Sequence, residues 1–184
     1  MPKQFAFLRA INVGGHNVKM EQLRGLFEAL GLTGVETFLA SGNVLFDGNN
    51  GDTRTLQQRI EEHLLTVLGY EVKTFIRTDH EVGAIAQYRP FKESLIRSAG
   101  AFCVGFLSEP LRAVAKKSLM ALSSEIDAFH VNGREVYWLC KKKQSESKFS
   151  NAVFEKTTGA RITFRGMNTI VRLAATYGCR PGDA

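Results

Sequence analysis

The feature that most constrains this chain is an order of elements that runs twice. A strand-like apolar run at residues 5–11 is broken by Gly14-Gly15-His16-Asn17, after which Met20, Leu23, Leu26, Phe27 and Leu30 recur at steps of three and four before Gly31. Apolar residues at that spacing line one face of a helix, and a glycine just beyond them supplies its stop. Two further strand-like runs, 35–40 and 44–47, flank Ser41-Gly42-Asn43, a composition suited to a tight turn, so they read as a hairpin. Asp52 or Thr53 can cap the next helix, which carries Leu56, Ile60, Leu64, Leu65 and Leu68 on one side and stops at Gly69. A strand at 72–77 and a short helix at 79–87 complete a βαββαβα series, and Arg89-Pro90 then disfavours more helix.

The same order returns after residues 91–100, which read as a linker. A strand at 101–107 leads to a helix opened by Glu109-Pro110 and carrying Leu111, Val114, Leu119 and Leu122. Strands at 126–131 and 135–140 flank Asn132-Gly133-Arg134, whose Asn-Gly pair favours a two-residue type I′ turn. A polar segment at 141–146, a helix at 147–158 stopped by Gly159, a strand at 161–165 and a helix at 167–177 follow. The chain is therefore expected to be α+β, with two tandem ferredoxin-like βαββαβ(α) units related by internal duplication, residues 1–90 and 101–184. Element order carries this inference, because residue identity between the halves is low.

Composition supports a globular chain: 44% of its 184 residues are hydrophobic and 23% charged. The apolar run near the start is too short for a secretory core, and no stretch approaches the roughly 18 apolar residues of a membrane helix. Cys103, Cys140 and Cys179 are odd in number and lie outside any CxxC or Cys/His metal spacing. These features lead us to expect a soluble cytoplasmic protein in a reducing compartment, with Cys103 and Cys140, in apolar strand-like runs, as small buried hydrophobes. Charge is uneven. Residues 1–90 hold 9 Lys and Arg against 10 Asp and Glu, whereas residues 91–184 hold 15 against 8, a net of −1 against +7. The second half could attract phosphate-rich partners, or could be a solvated face.

Four stretches, LRAINVGGHN at 8–17, SGNVLF at 41–46, SKFSNAVFEKTTG at 147–159 and TFRGMNT at 163–169, together resemble the family catalogued as domain of unknown function 1697. The family pattern is similar to LRGINVGG near the start and T-x-RNWNT near the end. Here Ala10 stands for a glycine, and Gly166 and Met167 stand for an asparagine and a tryptophan. The resemblance implies a duplicated α+β fold and a bacterial cytoplasmic setting, and it implies no activity.

Polar residues in the same four stretches are the candidate site. Gly14 and Gly15 end a strand and precede a helix, a turn that can aim backbone N–H groups at an anion, with Arg9 and Lys19 adding charge and Asn12 an amide. The glycines could equally serve only the turn, with Asn12 bonded to local backbone. Ser41 and Asn43 would stand beside this loop if the first strand pairs with the hairpin. In the second half Lys148, Asn151, Arg165, Asn168 and Thr169 combine cations with amide and hydroxyl groups. Lys148 and Asn151, three apart, would share a helix face, and Ser147 would cap that helix.

Three readings stay open. The first is a small anionic or phosphate-bearing ligand held in a cleft between the two units by Arg9, Asn12, Gly14, Gly15, Lys19, Ser41 and Asn43 together with Lys148, Asn151, Arg165, Asn168 and Thr169. The second is single-stranded nucleic-acid binding by the basic half, with Lys141-Lys142-Lys143 on phosphates and Tyr137 or Trp138 on a base. The third is a non-catalytic assembly module. Ser145-Glu146-Ser147-Lys148 and Lys156-Thr157-Thr158-Gly159 imitate two elements of a serine-acylation set whose third element is missing. No cofactor or metal is expected, since His16, His63, His80 and His130 are scattered, and whether the chain is an enzyme stays open.

Overall fold

The computed structural model describes residues 2–39, 42–48 and 51–182. Helix α1, Met20–Glu28, buries Leu23, Leu26 and Phe27. Helix α2, Thr53–Leu68, starts where the Asp52 carboxylate accepts from the N–H groups of Arg54 and Thr55, and stops where Gly69, at φ 79°, donates to Leu65 O. The Thr55 hydroxyl donates to the same carboxylate at 2.6 Å, and this bond, with the two backbone ones, holds the Asp52 carboxyl below its ordinary range, the hydroxyl contributing most.

Around these helices, β1 (Lys3–Arg9), β2 (Glu36–Thr37), β3 (Asn43–Asp47) and β4 (Lys73–Thr78) form one antiparallel sheet in the order β2-β3-β1-β4. The second sheet, β6-β7-β5-β8, repeats that order with β5 (Ala101–Phe106), β6 (Asp127–Asn132), β7 (Glu135–Cys140) and β8 (Thr163–Gly166). The remaining helices are α3 (Asp79–Gln87), α4 (Glu93–Ser98), α5 (Ala113–Met120), α6 (Asn151–Thr158) and α7 (Met167–Tyr177). Two four-stranded antiparallel sheets with one topology are the duplicated ferredoxin-like fold expected from element order.

The chain divides into two compact units, Met1–Ala84 with Leu173–Ala184, and Ile85–Arg172. In the first, Ala6, Leu8, Val44, Phe46 and Ile76 pack under Leu23, Phe27, Ile60 and Leu64. In the second, Cys103, Phe129, Trp138 and Cys140 pack under Leu119, Phe149 and Phe154. Each sheet also meets an aromatic on its other face. Tyr177 lies edge-on to Phe5 with ring centres 6.0 Å apart, and Tyr88 lies 5.0 Å from Tyr137. Among the described residues no helix is long and apolar enough to cross a membrane.

Several local expectations need correction. Strand β2 is two residues long because Leu39, at φ 59°, turns the backbone out of the extended region. Helix α5 starts at Ala113, since Arg112 still holds extended backbone at φ −64° and ψ 154°. In the second hairpin Asn132 pairs with Glu135, so the loop is Gly133-Arg134 with Gly133 at φ 56°. Glycine at the first central position is the type II′ arrangement, not type I′. Residues 91–100 carry α4.

Candidate functional site

The glycine loop after β1 is an ordered structure held by side chains. Asn12 Oδ1 accepts from Val18 N at 2.7 Å, closing residues 12–18 into a compact turn. Tyr70 donates its hydroxyl to Ile11 O at 2.9 Å, and the His16 ring stacks on Tyr70 with centres 3.7 Å apart. Partial burial pushes the Tyr70 hydroxyl pKa up. Gly14 and Gly15 have φ of 64° and 87° and are exposed, with nothing close to where a Cβ would stand. Ala10 also sits at positive φ, 65°, so the glycine that the family pattern places there suits the backbone and the alanine is strained.

Strand β1 does pair with β3, Phe7 opposite Asn43, and Leu8 N donates to Gly42 O at 2.8 Å, so the hairpin lies against the start of the loop. Yet Asn43 is buried and its Nδ2 donates to Phe38 O at 2.9 Å, which makes it a clamp on the hairpin. Ser41 lies outside the described residues. Arg9 ends β1 opposite Lys73, half-buried, while Lys19 is exposed at the cap position of α1. Of this set, Asn12 and Asn43 are committed to backbone, which leaves Lys19 and the two glycines facing solvent.

The second unit holds cavities near its predicted site residues. A cavity of about 340 Å³ is lined by Ser150 and Asn151 at the start of α6, by Phe149 and Trp138, and by Phe164, Arg165 and Gly166 of β8. A neighbouring cavity of about 470 Å³ shares Cys103, Gln144 and Gly166 with it and continues over Met167 and Asn168, the first residues of α7. Arg165 is only 8% exposed; its Nη1 donates to Thr163 Oγ1 at 2.9 Å and to Phe164 O at 3.0 Å. Burial lowers its guanidinium pKa to about 10. Cys103 accepts from Gln144 Nε2 at 2.8 Å, and burial pushes its thiol up to about 11, so it is a neutral part of the wall.

The structure thus brings Asn151, Arg165 and Asn168 to two adjoining cavities and leaves Thr169 and Lys148 outside both. Lys148 precedes α6 and shares no helix face with Asn151, because Ser150 is the cap, accepting from Val153 N at 3.2 Å. Ser147 is instead drawn to a buried acid, donating to Asp127 Oδ2 at 2.8 Å, while its oxygen accepts from Phe149 N. Gln144 and Cys103 were missed as site residues. The first sits in a segment whose only signal is polarity, and the second in a run whose apolar character points to a core.

Two observations bear on other readings. Tyr137 and Trp138 are 1% and 5% exposed, so neither ring of β7 is open to a base, although Lys141, Lys142 and Lys143 are exposed. Met167 is buried at 4%, so the position where the family pattern has tryptophan is wall, not an open stacking surface.

With this geometry established, comparison with known proteins gives a consistent result. A model of the family described as protein of unknown function (DUF1697) matches residues 1–137. A conserved bacterial protein from Streptococcus pneumoniae shares the fold at a TM-score of 0.70 and 21% identity, with 95% of this chain and 97% of that one covered. No curated protein matches the chain.

Proposed function

The chain belongs to the DUF1697 family of proteins of unknown function, and from that premise we propose that it binds a small anionic or phosphate-bearing ligand in the adjoining cavities of its second unit. The observation that carries this reading is that the starts of α6 and α7 border two adjoining hollows that share Cys103, Gln144 and Gly166. Helix starts present unpaired N–H groups and a partial positive charge. Arg165 stands in the strand beside the hollow and adds its charge from the opposite face of the sheet, where its guanidinium bonds Thr163 on the Tyr137 side. Asn151, Asn168 and Gln144 supply amide donors at the rim. The cavity volumes fall at the lower end of small-molecule sites, roughly 300 Å³ and upward. The net charge of +7 on residues 91–184 favours the approach of an anion.

A thermal-shift series with the full chain tests this, using inorganic phosphate, nucleotides, sugar phosphates and small carboxylates. At least one class should raise the melting temperature saturably, by up to about 2.7 kcal/mol of stabilisation at a hundred times its Kd. Asn151→Leu with Asn168→Leu should abolish the shift while leaving the unliganded melting temperature near its original value. No shift from any anion, or an unchanged shift in the double variant, would sink the proposal.

A further inference from the structure

A third hollow in the second unit has the opposite chemistry. It is a groove of about 440 Å³ between the end of α5, the start of β6 and the segment leading into α6. Leu122, Ile126, Phe149 and Val153 give it an apolar wall. Set into that wall is the carboxylate of Asp127, a residue only 6% exposed.

Asp127 is well hydrogen-bonded but lacks a counter-charge. Oδ1 accepts from Trp138 Nε1 at 2.8 Å and from Ser147 Oγ at 2.9 Å; Oδ2 accepts from Ser147 Oγ at 2.8 Å and Ser124 Oγ at 3.3 Å. All three donors are neutral. Among the described residues no lysine, arginine or histidine is within ion-pairing distance of it. Buried charges are ordinarily paired, because removing an ion from water costs several kcal/mol that neutral donors offset only in part. Lys148 lines the same groove but stands exposed and beyond ion-pair range, while Glu125 and Glu146 add two exposed carboxylates at the mouth. Three acids against one ammonium make this spot negative within a half of the chain that is strongly positive.

We infer that this groove binds an organic cation, an ammonium carried on a small apolar group. The ammonium supplies the charge that Asp127 lacks, and the apolar part lies against Leu122, Ile126 and Phe149, whose ring face also attracts a cation. Apolar burial alone would admit neutral or anionic isosteres; the buried carboxylate selects against the anion. Lys148 is a like charge on the lining and opposes an incoming cation.

Calorimetric titration of the full chain with phenethylammonium, its near-isosteric anion 3-phenylpropionate, and methylammonium tests the inference. Phenethylammonium should bind saturably, and each of the other two at least about ten-fold more weakly, the effect of one charge-assisted contact or of the lost apolar area. Asp127→Asn should lose at least that factor, and Lys148→Met should gain affinity. Should Asp127→Asn fail to fold by circular dichroism, Val153→Arg carries the test, since a guanidinium lodged in the groove should block phenethylammonium. Absence of binding, equal binding of the cation and its anionic isostere, or unchanged affinity in the folded variants overturns the inference. Because Asn151→Leu with Asn168→Leu should leave this binding intact, its failure is distinguishable from failure at the anion cavities.

Discussion

The two sheets share one strand order and equivalent pairings, and at one pair of positions they part company. Phe5 in β1 faces Arg77 and Leu45 on its flanking strands, as Val104 in β5 faces Arg165 and Tyr137. Arg77 and Arg165 therefore occupy the same place in each unit, and each donates to the carbonyl of the residue before it, at 2.8 Å and 3.0 Å. One residue earlier the units differ. Gln4 pairs with Thr78 in the first, and Cys103 pairs with Gly166 in the second. A long amide and a threonine have given way to a short thiol and no side chain, and it is here that the second unit opens into its adjoining cavities. The first unit is filled at this point, with Gln4 only 5% exposed and its Oε1 buried without a hydrogen bond. The two units share the frame and the arginine and differ in how this corner is filled, so a pocket can be present or absent without cost to the sheet.

The comparison can be broken most forcefully at the arginines. Arg77→Met should destabilise by about 3 kcal/mol, since it strips buried acceptors of their donor, and Arg165→Met by about 2 kcal/mol, the site being slightly more open. Urea midpoints measure both, and a larger loss at Arg165 would contradict the equivalence.

A second contrast is in pH. The Cys103 thiol, raised by burial to about 11, keeps its proton when folded, whereas the unfolded chain loses it near pH 9. Stability should fall as pH rises through that window and level off above it. Cys103→Ala should flatten this part of the curve, while Gln4→Ala should leave its slope unchanged, glutamine having no proton to lose.

Ala10→Gly should stabilise by about 1 kcal/mol by relieving the positive φ, readable as a rise in melting temperature. Smallest in stability is Gly166→Thr, which gives the second unit the residue of the first. A Cβ there meets nothing within 4 Å, so the change should stay within about 0.5 kcal/mol. It should nonetheless cost phosphate ligands at least about ten-fold in affinity by narrowing the hollow.

The frame was legible because its signals are local. Asp52 and Gly69 mark the ends of α2 by what they do for backbone groups a few residues away. The duplication could be read from element order for the same reason. The site was only partly legible, because its residues are chosen by register between strands far apart in sequence. Nothing near Cys103 announces that it will face Gly166, or that Ser147 will leave its helix for Asp127. Asn43 was recognised as polar and close to the loop, but the direction of an amide depends on whether a carbonyl such as that of Phe38 comes within reach.

The composition of the first unit carries a consequence for biosynthesis. Residues 173–184 belong to it, separated from residue 84 by the 88 residues of the second unit. A ribosome adding about 5–20 residues per second needs several seconds to cover that distance. Until then the N-terminal sheet has emerged without Tyr177 against Phe5 and Phe38, so the half made first is finished last.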